Sequence, residues 1–154
     1  MTDTVQRNWL RVFALSVTSA LSWLWLGIVV GISVIETPIR FRTPPITRSG
    51  AAMLGVAVFH ALAYVELVLA VIAIAVAIVV RDRWLIAIVA AVVTVAAIEH
   101  AFLVPVLAVR AEALVQNVPL EPSAVHAWAT ACELAKMIAL ALLGWRSLSM
   151  LRQR

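Results

Sequence analysis

Residues 51–80 read AAMLGVAVFHALAYVELVLAVIAIAVAIVV, and Glu66 is the sole formally charged side chain among them. A helix needs about 20 mostly apolar residues to cross a bilayer, so this stretch is long enough to span one with some tilt. Working outward, comparable runs cover Val12 to Ile35, Leu85 to Val109 and, more loosely, Ser123 to Trp145. The connections are short and rich in turn residues: 37–50 with Pro38, Pro44 and Pro45, Arg81-Asp82-Arg83, and 110–122 with Pro119 and Pro122. Short links between long helices predict an all-α, up-down-up-down antiparallel four-helix membrane bundle, one domain over residues 1–154. Ala111 to Gln116 either extends the third helix or forms a surface turn. Ser123 is placed to cap the fourth.

Composition agrees. Hydrophobic residues make up 64% of the 154-residue chain, against roughly 45 to 50% in soluble domains. The net charge of +4 comes from arginines at the ends of apolar runs, with no basic stripe or aromatic platform, which excludes nucleic acid as a partner and leaves the lipid bilayer. Cys132 is the single cysteine and lies in an apolar run, so an intrachain disulfide is impossible. Arg7 and Arg11 resemble the start of a signal peptide, but the run that follows is too long for one and is read as a retained first helix.

Arg7, Arg11, Arg81, Arg83, Arg146, Arg152 and Arg154 flank one side of such a bundle, against Arg40, Arg42, Arg48 and Arg110 on the other. The positive-inside rule then puts both termini in the cytoplasm of a bacterial inner membrane, with Trp9, Trp84 and Trp145 as an interfacial belt on that side. No internal repeat is evident. Gly27-x-x-x-Gly31, with Ser16, Ser19 and Ser22 before it, predicts a close helix approach, within the bundle or to a second protomer.

Function is argued from polar residues inside these runs, because a charge at the bilayer centre costs about 2.5 to 3.5 kcal/mol even on lenient scales. At about 1.5 Å per residue, His60, Glu99, His100 and Glu133 come out roughly 13 to 15 Å below the outer boundary, with Glu66 and Lys136 a little deeper and His126 nearer the surface. His126, Thr130, Glu133 and Lys136 follow one helical face. Glu133 and Lys136 can pair, either as part of a site or as a purely structural ion pair. His60 and Tyr64 lie one turn apart, whereas Glu66 is rotated about 240° from His60, and Glu99 and His100 differ by about 100°.

Imidazoles suit transition metals and haem iron, with carboxylates tuning them, so His60, His100 and His126 are candidate ligands. A paired Glu-x-x-His di-metal motif and a zinc-ligand set are both missing, and Cys132 and the serines of the first helix lack a recognisable base partner; catalysis is left open. The leading expectation is a small membrane protein that holds a haem or transition metal at this site, with Tyr64, Glu66, Glu99, Glu133 and Lys136 around it. Alternatives are an accessory or assembly subunit of a larger membrane complex, and an oligomeric proton-linked small transporter. The first connection, with Glu36, Arg40 and Arg42, reads either as a gate or anion-binding lip or as a lipid-headgroup anchor. Glu36 can pair with Arg40, and Pro38 is expected to stop the helix between them.

Trp25-Leu-Gly27, Gly31, Pro38 and Phe41, then Phe59 and Glu66, then His126, Glu133 and Lys136, resemble a group of uncharacterised four-helix bacterial membrane proteins. The resemblance spans most of the chain. It implies the four-helix topology, brings no activity, and favours Glu66, His126, Glu133 and Lys136 over His60, Glu99 and His100 as site residues.

Overall fold

The computed structural model describes residues 2–153, and the side chains of residue 6 and residues 8–153 within them. Arg154 and the Arg7 side chain, both counted in the basic flank above, lie outside the described residues. Among the described residues the chain is helical without strands, and four helices are long and apolar enough to cross a membrane: Asn8–Arg42, Arg48–Val80, Arg83–Val115 and Val125–Arg152. The first is made of α1 (Thr2–Val30) from Asn8 onward, a π-helical turn (Gly31–Glu36) and α2 (Thr37–Arg42); the second is α3 (Arg48–Val80). The third contains α4 (Arg83–Ile98), a second π-helical turn (Glu99–Leu103) and α5 (Val104–Val115); the fourth is α6 (Val125–Arg152). Helices α1 and α4 each pack against α3 and α6, so the four spans close into a ring in chain order.

One boundary corrects the expectation, and another settles an open alternative. Pro38 does not stop the first helix. It is the second residue of α2, and just before it the ladder slips by one residue, so that the Thr37 N–H donates to the Ile32 carbonyl, which also accepts the Thr37 hydroxyl at 3.0 Å. A proline brings no N–H, and a first-turn position is where that loss is harmless. The third helix repeats the device: the Val104 N–H donates to the Glu99 carbonyl, and Pro105 follows. Residues 111–115 extend this helix, and the chain turns at Gln116 and Asn117, the latter with φ 55°.

The other ends follow local chemistry. Thr47 caps α3 by accepting from the Gly50 N–H at 3.1 Å, and Asp82 caps α4 by accepting from the Leu85 N–H at 2.9 Å. Ser123 sits one residue too early to be the cap of α6, which is Ala124, but its hydroxyl accepts from the Val125 N–H at 3.2 Å.

The packed core lies on the side of the chain termini. Leu15, Ala73, Ala77, Leu85, Val89 and Leu143 form one cluster, and Trp25, Val29, Leu69, Val92 and Leu140 another next to it. Gly27 and Gly31 do not pack closely within the bundle, since a Cβ at either would meet nothing within 4 Å among the described residues. The close approaches are elsewhere, at Gly144 against the Trp23 ring and at Gly55 against Arg40. The opposite half of the bundle, toward the 43–47 and 116–124 connections, is open.

Candidate intramembrane ligand site

Lys136 is fully buried at the middle of α6, where an ammonium survives only if partners replace its water. Three helices supply them. Its Nζ lies 2.8 Å from Glu66 Oε1 and 3.1 Å from Glu66 Oε2 on α3, 2.7 Å from Glu99 Oε2 at the second π turn, and 3.3 Å from Glu133 Oε1 one turn away on α6. All three carboxylates are buried. Glu66 takes two further donors: the Trp25 indole Nε1 at 2.8 Å, and the His100 ring, whose Nε2 meets Oε2. Glu66 is therefore joined to all three other spans, and the polar set ties the ring together.

The π turn explains how two adjacent residues both reach this set. A wider turn separates successive side chains by less than the 100° of an α-helix, and here Glu99 faces Lys136 while His100 faces Glu66. The two neighbours thus belong to one continuous network.

Other candidates are not gathered in. His60 is exposed on the outer face of α3, and Tyr64 is 75% exposed. The rotation of about 240° that separates His60 from Glu66 accounts for this, since burying one turns the other outward. His126 is exposed at the start of α6 and lines a cavity above Glu133. The three histidines thus lie in three different settings, and the imidazole clamp expected from the sequence is not assembled. Among the described residues no group of three or more His, Cys, Asp or Glu side chains is placed to hold a metal ion.

Above the polar set lies a cavity of about 590 Å³, walled by α2, α3, α5 and α6. Its sides are apolar, with Val56, Phe59, Val104, Leu107 and Met137 among them; Glu133 is at its deep end, and Arg40, Arg48 and Arg110 also line it. Among the described residues four buried polar atoms have no hydrogen-bond partner: Glu133 Oε2, Arg40 Nε and Ser33 Oγ, which belong to lining residues, and His100 Nδ1, which does not. Such atoms are rare in folded proteins, and each demands a reason. Arg40 is held by Glu36, with Nη1 to Oε1 at 3.1 Å, as the sequence suggested. Arg42 is exposed and does not line the cavity.

Trp25, Gly55, Arg48 and Arg110 were not singled out as site residues. Trp25 had a readable signal: tryptophans favour the membrane interface, and one near the middle of a span needs a buried acceptor for its indole N–H. Gly55 had none, because its role is set by a side chain from another helix.

Comparison of the chain with family models, with curated proteins and with solved structures finds no match.

Proposed function

We propose that this is a multi-pass protein of a bacterial inner membrane that holds a small, largely apolar guest in the cavity between α2, α3, α5 and α6, with the buried carboxylate–lysine set as its floor. The supporting observation is Glu133, which joins the two: its Oε1 engages Lys136, and the residue lines the deep end of the cavity. A volume of about 590 Å³ falls in the roughly 300 to 1,000 Å³ range of small-molecule sites, which are typically apolar with a few placed polar groups. With both termini in the cytoplasm, the cavity opens toward the other face of the membrane. A haem or metal bound through the histidines is the weaker reading, because His60 lies outside the bundle and His100 is engaged by Glu66.

Ala129 lines the cavity one helical turn from Glu133 toward the 116–124 connection, so Ala129→Trp fills the space while every member of the polar set is kept. The expected result, by native mass spectrometry from nanodiscs, is a stoichiometric small-molecule adduct on the wild type that Ala129→Trp loses while keeping its helicity and elution volume. A wild type without an adduct, and with the same hydrogen exchange as Ala129→Trp along 104–111 and 126–134, would remove the proposal.

A further inference from the structure

Arg40 is an unusual residue to find in such a wall. Its side chain is only 4% exposed, yet among the described residues its one hydrogen bond runs from Nη1 to Glu36 Oε1, and its buried Nε has no partner. A guanidinium has five N–H donors in a fixed fork and cannot shed its charge, so a buried one with most donors unused is poised for an acceptor that brings its own negative charge. Phe41 sits under the same guanidinium, 5.4 Å from its Cζ, and restricts where the fork can turn.

The position of Arg40 is fixed by a glycine on the facing helix. A Cβ at Gly55 would come 2.7 Å from Arg40 Nη2 and 3.1 Å from Cζ. The missing side chain at Gly55 therefore admits the guanidinium against the α3 backbone. From Gly55 to Glu66 is eleven residues along α3, or roughly 16 Å. The Arg40 end of the cavity and the polar set beneath it are thus well separated, with apolar wall between them. Arg48 lines the same cavity, as does Arg110, whose Nη2 donates to the Glu121 carbonyl at 2.9 Å, so the positive charge around Arg40 is reinforced.

We infer that the cavity takes an acidic amphiphile, whose carboxylate or phosphate head is bound by the Arg40 guanidinium at the Gly55 cleft and whose apolar body lies along the wall toward Glu133. The inference rests on the ligand-holding reading above and adds the chemical class of the guest. An acyl acid and an acidic lipid such as phosphatidic acid present the same head-group chemistry to Arg40.

The test uses the full-length protein in phosphatidylcholine nanodiscs, titrated with decanoate, decyl phosphate, decanol, decylamine, sulfate alone and phosphatidic acid, and read by native mass spectrometry and by the shift in thermal midpoint. Decanoate and decyl phosphate are expected to bind one to one and at least about tenfold more tightly than decanol, the contrast a charge-assisted hydrogen bond provides. Phosphatidic acid binding in preference to both would assign a lipid as the guest; the reverse order would assign a free acid; either supports the inference. Arg40→Gln should bring decanoate down to the level of decanol. Gly55→Ala should weaken decanoate severalfold by displacing the guanidinium while its charge remains. If neither variant folds, the wild-type contrast still decides. Equal binding of decanol and decanoate would overturn the acidic head while leaving a cavity guest standing. Sulfate alone binding as tightly as decanoate would overturn the amphiphile, and no binding of any probe would overturn the inference altogether.

Discussion

Replacing Lys136 by methionine keeps a flexible side chain of similar length in α6 but removes the one cation that Glu66, Glu99 and Glu133 share. Lys136 is 0% exposed and the three acids at most 6%, so water cannot take its place. Breaking a buried ion pair by deleting one partner costs about 3 to 5 kcal/mol, because the remaining charge stays uncompensated. A domain of this size loses about 2 to 4 °C per kcal/mol, which puts the midpoint roughly 6 to 20 °C lower. Thermal and denaturant unfolding of the nanodisc-embedded protein, followed by circular dichroism, measures both. The double variant Lys136→Met/Glu66→Gln should regain part of the loss, since it removes one of the acids left without a counter-ion, and such neighbours are not additive. A loss below about 1 kcal/mol, the size seen for exposed pairs, would mean that water reaches Nζ and that the set is not sealed inside the bundle.

Trp25→Phe removes the indole donor 2.8 Å from Glu66 Oε1 but leaves Lys136 on the same oxygen, so the expected destabilisation in the same unfolding assay is about 1 to 1.5 kcal/mol; no change would show that the indole is idle. At the other end of the bundle, Asp82 caps α4 and accepts two hydrogen bonds from Arg146, Oδ1 from Nε at 3.0 Å and Oδ2 from Nη2 at 2.9 Å. The Arg146 guanidinium, followed by the Leu85 N–H, holds the Asp82 carboxyl below its ordinary value. A carboxylate whose folded-state value is depressed stabilises above its unfolded value, about 3.9, and that contribution fades as pH falls through the folded value. Asp82→Asn should therefore lower the midpoint at pH 7 by the equivalent of about 1 kcal/mol, since the pair is only partly buried, and the difference from wild type should shrink between about pH 4 and pH 2. A difference that grows on acidification would refute the pairing.

The four spans were legible because the bilayer imposes a length on apolar runs that no other environment demands, and residues 51–80 meet it almost without interruption. Angular bookkeeping at 100° per residue also worked where the helix is regular: it separated His60 from Glu66, and it lined up Glu133 and Lys136 on one face of α6. It was less informative at Glu99 and His100, where the ladder widens into a π turn, and at Pro38, where the same widening lets a helix pass a residue that ordinarily ends one. The cavity was only half visible. Glu36 and Arg40 pair locally, four residues apart, whereas the close fit of Arg40 against Gly55 belongs to packing between helices and has no local signature.

The structure also reveals a likeness between the halves that the sequence did not make evident. In both, a π turn is followed by a proline as the second residue of the next helix, Pro38 and Pro105, and then by arginines that line the cavity, Arg40 and Arg110. The second helices match as well: His60-Ala-Leu-Ala-Tyr-Val-Glu66-Leu67 on α3 runs parallel to His126-Ala-Trp-Ala-Thr-Ala-Cys-Glu133-Leu134 on α6. Both glutamates meet Lys136. The histidines part company because the spacing is six residues in one half and seven in the other. Seven residues make nearly two full turns and return His126 to the face of Glu133; six leave His60 about 120° off that face, outside the bundle. One residue of spacing thus separates a histidine that lines the cavity from one that does not, and it gives the two halves different duties. The first supplies Arg40, and the Glu66 hub with its indole partner Trp25. The second supplies the cation Lys136, the wall with Arg110 and His126, and Glu133, the acid that joins the polar set to the cavity.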